Sequence, residues 1–205
     1  MFFKRILEAP IGYLFFQYLI GGIQTRRLCI QQHVPVRRGM RVLDIGCGPG
    51  YVAGWLEGIS YVGLDTDPDY IKYASRKYAD RGVFSCELLT DEYAARQEPF
   101  DFVIMMGVLH HLDDAQMDDI LRLIRQVLKP NGRLITLDGY RHDQISSAAK
   151  FFLDNDRGKF IRTKDGYLNL CKKWFPQVKS FDKPEYFNIP YATLVIECSS
   201  SSIDS

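Results

Sequence analysis

Short apolar runs alternate with amphipathic segments from Arg41 onward. The apolar runs have the length of strands and read RVLDI, SYVGLD, VFSCELL, FDFVIMM and GRLITLD. Between them lie segments with helical spacing, YVAGWLEG, DYIKYASRKYADRG and AQMDDILRLIRQVLKPNG, and the last ends with a proline and a glycine, which commonly follow a helix. Strands that alternate with helices in this way predict an α/β fold with a mostly parallel sheet.

The pattern changes after Asp138. Two helix-like segments, QISSAAKFFLDN and DGYLNLCKKWF, precede two strand-like runs, VKSFDK and YATLVIECS. The connection between those two runs is too short for a crossover helix, so we predict an antiparallel hairpin. One strand of the sheet is then reversed.

Charge and cysteine content narrow the function classes. Twenty-six basic and 25 acidic residues leave a formal charge of +1, so no strong field attracts nucleic acid or an anionic membrane. The five cysteines are an odd count with no C-x-x-C pair, which argues against a disulfide framework and a zinc site. We therefore expect a cytoplasmic protein without a bound metal.

The N-terminal stretch resembles a signal peptide or membrane anchor at first sight. Its apolar run is interrupted by Pro10, Gly12 and Gln17, and no small-residue cleavage site follows, so we predict no transmembrane segment. A packed helix or a lid over the site is the preferred interpretation. Weak contact of this helix with a membrane surface is the alternative.

The stretch VLDIGCGPG, residues 42–50, places a glycine turn directly after the first predicted strand. Such turns bind ligands at the carboxyl ends of the strands in open α/β sheets. A dinucleotide fingerprint requires a glycine at position 51, where this chain has Tyr51. Asp44 repels a pyrophosphate but attracts an ammonium group, although an aspartate here is also able to cap the turn.

A second carboxylate follows the second predicted strand. Asp65 lies 19 residues after Gly46, where an acid accepts hydrogen bonds from two adjacent ribose hydroxyls. Asp67 and Pro68 are the expected N-cap and first residue of the next helix. The two acids thus indicate a nucleoside ligand that carries a positive charge.

These residues together resemble class I S-adenosylmethionine-dependent methyltransferases, in their small-molecule branch. VLDIGCGPG, GLDTDP, FDFVIMMGVLHHLDD and LKPNGRLITLD match four motifs of that family in the family's order, over roughly residues 40–140. The resemblance implies a Rossmann-like, seven-stranded, mostly parallel sheet with an antiparallel last strand and helices on both faces. It also implies S-adenosylmethionine as cofactor and S-adenosylhomocysteine as product.

The resemblance further implies a set of cofactor-binding residues. Asp44 would lie near the ammonium group, Asp65 would bind the ribose, and Met106 would face the sulfonium. The whole implied set comprises Asp44, Gly46, Cys47, Gly48, Gly50, Asp65, Thr66, Glu87, Leu88, Met106 and Gly107.

Methyl transfer from a sulfonium is an in-line displacement, which needs a base only if the acceptor must lose a proton. His110 and His111 follow the fourth strand, and Tyr140 follows the fifth, so these three are the candidate catalytic residues. Alternatively, one histidine packs under the sheet and the other satisfies backbone groups.

The HHL form of the fourth motif resembles enzymes that act on small O-, N- or C-acceptors, so we expect a small-molecule acceptor and no nucleic acid. Arg157 and Arg162 are candidates to bind an acidic group on the acceptor, with an ordinary charged loop as the alternative. Tyr13 and Tyr18 are candidates for a lid. A protein or RNA methyltransferase, or a protein that binds the cofactor without catalysis, is the alternative function.

A chain of 205 residues fits one domain, here a single methyltransferase domain over 1–205 that forms a monomer or a homodimer. We divide it into an N-terminal helical lid or cap (1–38), a cofactor-binding core (39–140), an acceptor-side insertion with the C-terminal hairpin (141–198) and a disordered tail (199–205).

Overall fold

A computed structural model describes residues 22–142, 159–186 and 192–201 of the chain. The strands are β1 (Arg41–Ile45), β2 (Ser60–Leu64), β3 (Gly82–Ser85), β4 (Phe100–Met106), β5 (Leu128–Gly139), β6 (Gln177–Asp182) and β7 (Thr193–Ser199). The helices are α1 (Gly22–His33), α2 (Pro68–Lys77), α3 (Asp91–Ala95), α4 (Asp114–Val127) and α5 (Lys164–Trp174). Short 3-10 turns span Tyr51–Gly54, Leu109–His111 and Pro184–Tyr186.

The seven strands form one sheet in the order β3-β2-β1-β4-β5-β7-β6. β1, β2, β3, β4 and β5 pair in parallel, whereas β7 pairs antiparallel with both β5 and β6. Six strands therefore share one direction and β7 is reversed. The predicted seven-stranded sheet and its terminal hairpin are confirmed.

Apolar side chains cover both faces of the sheet. On one face Met117 and Leu121 of α4 and Tyr167 of α5 are fully buried against the strands. On the other face Cys29 and Ile30 of α1 pack against β1, β4 and β5. Helices thus lie on both sides of the sheet, as predicted, and α4 buries the apolar stripe of its amphipathic sequence there.

Three local elements differ from the pattern-based prediction. β3 ends at Ser85 rather than at residue 89, and the stretch 51–58 forms only the turn Tyr51–Gly54 instead of a longer helix. Gly58 has a φ of 70°, which interrupts a helix. α3 was not predicted, although Thr90 caps it by accepting a hydrogen bond from the Tyr93 N–H at 3.1 Å, a signal that the sequence contains.

Ser199 and Ser200, expected to belong to a disordered tail, are held in the fold. Ser199 is the last residue of β7, and Ser200 is buried, with its Oγ 2.7 Å from the carbonyl oxygen of Lys129 and 2.6 Å from that of Pro130. The hydroxyl satisfies carbonyls in the irregular part of β5 that a strand partner cannot reach. Residues 202–205, and the helix predicted at 144–155, lie outside the described residues.

The described part of the N-terminal cap is a helix of the core. α1 buries Thr25, whose Oγ1 donates to the Tyr186 carbonyl at 2.7 Å, and His33, whose Nδ1 lies 2.6 Å from Glu197 Oε1. α1 is therefore bound near its start to the turn Pro184–Tyr186 and at its last residue to β7. Within the described ranges, no helix combines the length and apolar character that a membrane crossing requires.

Candidate functional site

A cavity of about 800 Å³ opens at the carboxyl ends of β1, β2 and β4. The chain proceeds from β1 to β2 on one side and reaches β4 on the other, so the connections diverge at this point and leave a crevice. The wall of the cavity includes the glycine turn, the ends of β2 and β4, the loop after β3 and one side of α4. Ten of the eleven predicted cofactor-binding residues line it. The exception is Gly50, which faces Ala74 and Phe84 instead of the cavity.

The glycine turn has a backbone that ordinary residues rarely adopt. Gly48 has a φ of 52°, and a Cβ placed on it would meet no atom within 4 Å. Gly50 has a φ of 77°, but a Cβ there would lie 2.9 Å from both Ala74 Cβ and Phe84 Cε1. Gly48 thus borders open space in the cavity, whereas Gly50 allows α2 and β3 to approach the turn.

Asp65 holds the glycine turn and also lines the cavity. Its Oδ2 accepts the Gly48 N–H at 2.7 Å, and its Oδ1 accepts the Asp67 N–H at 2.9 Å. A carboxylate has about four acceptor positions, so each oxygen retains a position for a further donor. Asp67 in turn caps α2 by accepting from Asp69 and Tyr70, as predicted.

Asp44 is a buried carboxylate at the floor of the cavity. Tyr61 donates its hydroxyl proton to Asp44 Oδ2 at 2.6 Å, and Asp44 is only 2% exposed. Burial raises the pKa of Asp44 from an ordinary value of 3.8 to about 6, while the Tyr61 hydrogen bond and the charge of Arg26 oppose the rise. A cationic group in the cavity would favour the ionised carboxylate further.

Arg26 is a site residue that the sequence did not indicate. It extends from α1 into the cavity, where its Nη2 lies 3.4 Å from the position of a Cβ on Gly107. Burial raises the pKa of Asp44 and of Tyr51, and the positive charge of Arg26 opposes both rises. No motif marks Arg26, because its place in the site depends on how α1 packs across the sheet.

The loop after β3 forms another wall. Glu87 and Leu88, the residues predicted to contact the adenine, line the cavity, and Leu88 is 66% exposed. Arg122 of α4 donates to both oxygens of Asp91, at 2.8 and 2.9 Å, and so joins α3 to α4 beside this loop. Further residues line the cavity here that were not predicted from the sequence. They are Leu89, Thr90, Asp91 and Glu92 after β3, and Gln116, Asp119, Ile120 and Leu123 on α4.

The two histidines have different environments. His111 is exposed and lines the cavity, next to the end of β4. His110 is 6% exposed, and its Nδ1 lies 2.7 Å from Asp138 Oδ1 at the end of β5. The two imidazole rings are in contact, with centroids 4.3 Å apart. His111 is thus the histidine that a ligand reaches, and His110 lies behind it.

The other predicted catalytic and acceptor residues lie away from the cavity or outside the described residues. Tyr140 does not line the cavity. Its hydroxyl donates to Asp182 of β6, and burial raises its pKa to about 12. The guanidinium of Arg162 binds acceptors of the protein itself, contrary to the prediction that it contacts the acceptor. Tyr13, Tyr18 and Arg157 lie outside the described residues.

Comparisons with known proteins identify the fold and the central part of the chain. Residues 42–132 match a protein family described as a methyltransferase domain. The ubiquinone biosynthesis O-methyltransferase of Xylella fastidiosa is 33% identical over 110 residues, which cover 51% of this chain and 44% of that protein. The tRNA U34 carboxymethyltransferase of Hahella chejuensis is 32% identical over 152 residues, 71% of this chain and 43% of that protein. The chain thus spans less than half the length of these two curated relatives.

The fold is shared with solved structures of low sequence identity. One is phosphoethanolamine N-methyltransferase 2 of Haemonchus contortus in complex with phosphomonomethylethanolamine and S-adenosylhomocysteine, with a TM-score of 0.71 and 17% identity over 98% of this chain and 61% of that one. A second is a TehB-like methyltransferase of Corynebacterium glutamicum, with a TM-score of 0.60 and 19% identity over 86% of each chain.

Proposed function

We propose that this chain, in which residues 42–132 form a class I S-adenosylmethionine-dependent methyltransferase domain, transfers the methyl group of that cofactor to a small-molecule acceptor. The observation that supports this most strongly is the pairing of Asp44 and Asp65 around an open glycine turn. A cavity with one carboxylate at its floor and another at its rim fits a nucleoside that carries an ammonium group.

The residues present fit the cofactor. Gly48 leaves open space above the turn, so the methionine portion has room against the backbone. Asp44 would balance the ammonium group, Arg26 the carboxylate, and Asp65 the ribose hydroxyls. Leu88 would cover the adenine, and Met106 and Gly107 would face the sulfonium. Bound there, the cofactor supplies an electrophilic methyl group.

His111 is the proposed catalytic residue. It lines the cavity beside Gly107 and, when neutral, accepts a proton from an acceptor whose nucleophilic atom must lose one. The hydrogen bond between His110 and Asp138 fixes the His110 imidazole, and this ring packs against the imidazole of His111 and helps to orient it. The chain otherwise contributes orientation of the acceptor and exclusion of water.

Charge on the cavity wall favours a neutral or cationic acceptor. Among the lining residues of the described chain, the acidic ones are Asp44, Asp65, Glu87, Asp91, Glu92 and Asp119, and the only arginine or lysine is Arg26. A polyanion would have to approach this wall against repulsion, whereas nucleic-acid sites are lined with cations. RNA is the second candidate acceptor, because a tRNA-modifying enzyme is among the relatives.

Transfer of a radiolabelled methyl group tests the proposal. Purified protein is incubated with labelled S-adenosylmethionine and an extract of the source cells, and the label is followed in the small-molecule, RNA and protein fractions. We expect the label to appear in the small-molecule fraction. This labelling should be lost when His111 is replaced and when the protein is omitted. Label confined to RNA or protein would contradict a small acceptor, and cofactor binding without transfer would contradict catalysis.

Cofactor affinity is expected to fall as the pH falls below about 6. The pKa of Asp44 is about 6, so at lower pH its carboxyl group is protonated and no longer balances the cofactor ammonium. Calorimetric titration between about pH 5 and about pH 8 measures this dependence. The matched variant is Asp44→Asn, which should bind weakly throughout the range. An unchanged pH dependence in that variant would assign the effect to another group.

Stability of the ligand-free protein should depend on the same group. The folded-state pKa of Asp44 lies above its ordinary value of 3.8, so the stability that Asp44 contributes is present below about pH 4 and is lost as the pH rises through about 6. The difference between these two pKa values corresponds to about 3 kcal/mol. The free energy of unfolding, measured in urea, should therefore become increasingly higher for Asp44→Asn than for wild type as the pH rises.

A further inference from the structure

Residues 160–163 are here called the Arg162 segment. They lie against Leu109–Leu112, here called the histidine turn because it contains His110 and His111. The Phe160 N–H donates to the His110 carbonyl at 2.9 Å, and the Arg162 carbonyl accepts the Arg141 N–H at 2.9 Å. Arg141 and Thr163 also form a parallel bridge. The Arg162 segment therefore joins the histidine turn to the chain that leaves β5.

The guanidinium of Arg162 makes five hydrogen bonds at this place. Its Nε donates to Asp114 Oδ1 at 2.8 Å, and its Nη2 donates to the same oxygen at 2.7 Å and to the Leu112 carbonyl at 2.8 Å. Its Nη1 donates to the Leu109 carbonyl at 3.2 Å and to the Phe160 carbonyl at 3.1 Å. An arginine has five such N–H donors, and here all five bind acceptors of the protein itself.

The histidine turn has few backbone bonds of its own. The His111 N–H donates to the Val108 carbonyl at 3.0 Å, and the Leu112 N–H donates to the Leu109 carbonyl at 3.2 Å. A 3-10 turn of three residues leaves carbonyls at its C-terminal end, where a cation is favourable. Arg162 binds the carbonyls on both sides of the histidine pair, and its side chain is only 10% exposed.

We propose that Arg162 is a positioning residue for the proposed base His111, acting through the backbone of the turn Leu109–Leu112. Asp138 fixes the imidazole of His110, and Arg162 fixes the turn from which both imidazoles extend. The inference rests on the proposed function in naming His111 as the base. Arg162 has no part in cofactor binding, because it does not line the cavity.

Histidine NMR spectra of Arg162→Lys test the inference without an acceptor. The chain has four histidines, so the imidazole resonances are assigned from the loss of one set each in His110→Asn and His111→Asn. Lysine retains the charge but has only three donors on one nitrogen, and does not replace five directed bonds. We expect the His110 and His111 resonances to shift, the His33 resonances to stay, and the dissociation constant of S-adenosylmethionine to remain within about twofold.

The matched control is Lys164→Met, which removes a neighbouring cation that binds Asp182 at 2.6 Å. It should leave the His33, His110 and His111 resonances unchanged. Histidine resonances in Arg162→Lys that equal those of the control would overturn the inference. Loss of cofactor affinity in Arg162→Lys would also overturn it, since the residue would then support the whole site rather than the turn.

Turnover gives the second readout once an acceptor is known. Misplacement of a reacting group by about 1 Å costs on the order of 100-fold in rate, so we expect Arg162→Lys to lower kcat by about 10- to 100-fold with little change in the cofactor dissociation constant. An unchanged kcat would contradict the positioning role. Absence of transfer by the wild-type protein would instead refute the proposed function, and the NMR comparison would still decide whether Arg162 fixes the turn.

Discussion

Replacement of Asp65 by alanine is expected to weaken S-adenosylmethionine binding by roughly 100-fold or more. Hydrogen bonds to a charged group contribute about 1.5–3 kcal/mol each, and the proposed contacts with two ribose hydroxyls would both be lost. The substitution also removes the acceptor of the Gly48 N–H, 2.7 Å away, so the glycine turn itself loses support. Isothermal titration calorimetry with the cofactor and with adenosine alone measures the loss, which should be similar for both ligands.

Asp67→Ala is the matched control for Asp65→Ala. Asp67 lies two residues further on and caps α2, so its removal should cost about 1 kcal/mol of stability through the lost cap. It is not a lining residue of the cavity, and we expect cofactor affinity to change by less than about threefold. Equal loss of affinity in the two variants would mean that Asp65 acts through the α2 region rather than through direct contact with the cofactor.

Gly48→Ala is expected mainly to weaken cofactor binding, whereas Gly50→Ala is expected mainly to lower the stability of the fold. Both positions have positive φ, which costs an alanine about 1–2 kcal/mol. At Gly48 the new methyl group enters the open space of the cavity, so cofactor binding should fall by about 100-fold or more while the protein remains folded. At Gly50 the methyl group would lie 2.9 Å from the fully buried Ala74, which adds about 1–3 kcal/mol of overpacking.

Urea unfolding of the ligand-free variants and calorimetry of cofactor binding separate the two cases. The expected result is a larger loss of stability in Gly50→Ala and a larger loss of affinity, relative to stability, in Gly48→Ala. Equal stabilities would show that the contact between the turn and α2 is less tight than the distances indicate. Retained affinity in Gly48→Ala would show that the cofactor does not lie against that part of the turn.

Much of the cavity lining was predictable because it is built from short, continuous stretches. The sequence 42–50 contains the strand, Asp44 and the glycines, and Asp65 follows the next strand at a spacing that the fold determines. Parallel strands bring their carboxyl ends to one edge, so residues at the ends of β1, β2 and β4 line the same cavity. Local pattern and sheet topology together are sufficient for these positions.

The environments of the candidate catalytic residues were less predictable. His110 and His111 are neighbours in the sequence and both were candidates, whereas the structure buries His110 against Asp138 and exposes His111 in the cavity. Tyr140 follows β5 but binds Asp182 of β6, because β6 lies near it only once the sheet has formed. Arg162 was predicted to bind the acceptor because the sequence shows its charge but does not show its hydrogen-bond partners within the protein.

The amino-acid sequence by itself determined the α/β class, the reversed last strand, the glycine turn and the two carboxylates around it, since each depends on periodicity or spacing within a short stretch. Only the tertiary structure decided that Gly48 borders open space while Gly50 packs on α2, and that Arg26 enters the cavity from α1. The physical reason is that these roles depend on atoms far away in the chain. Their distances are set by how helices pack across the sheet, which no local pattern specifies.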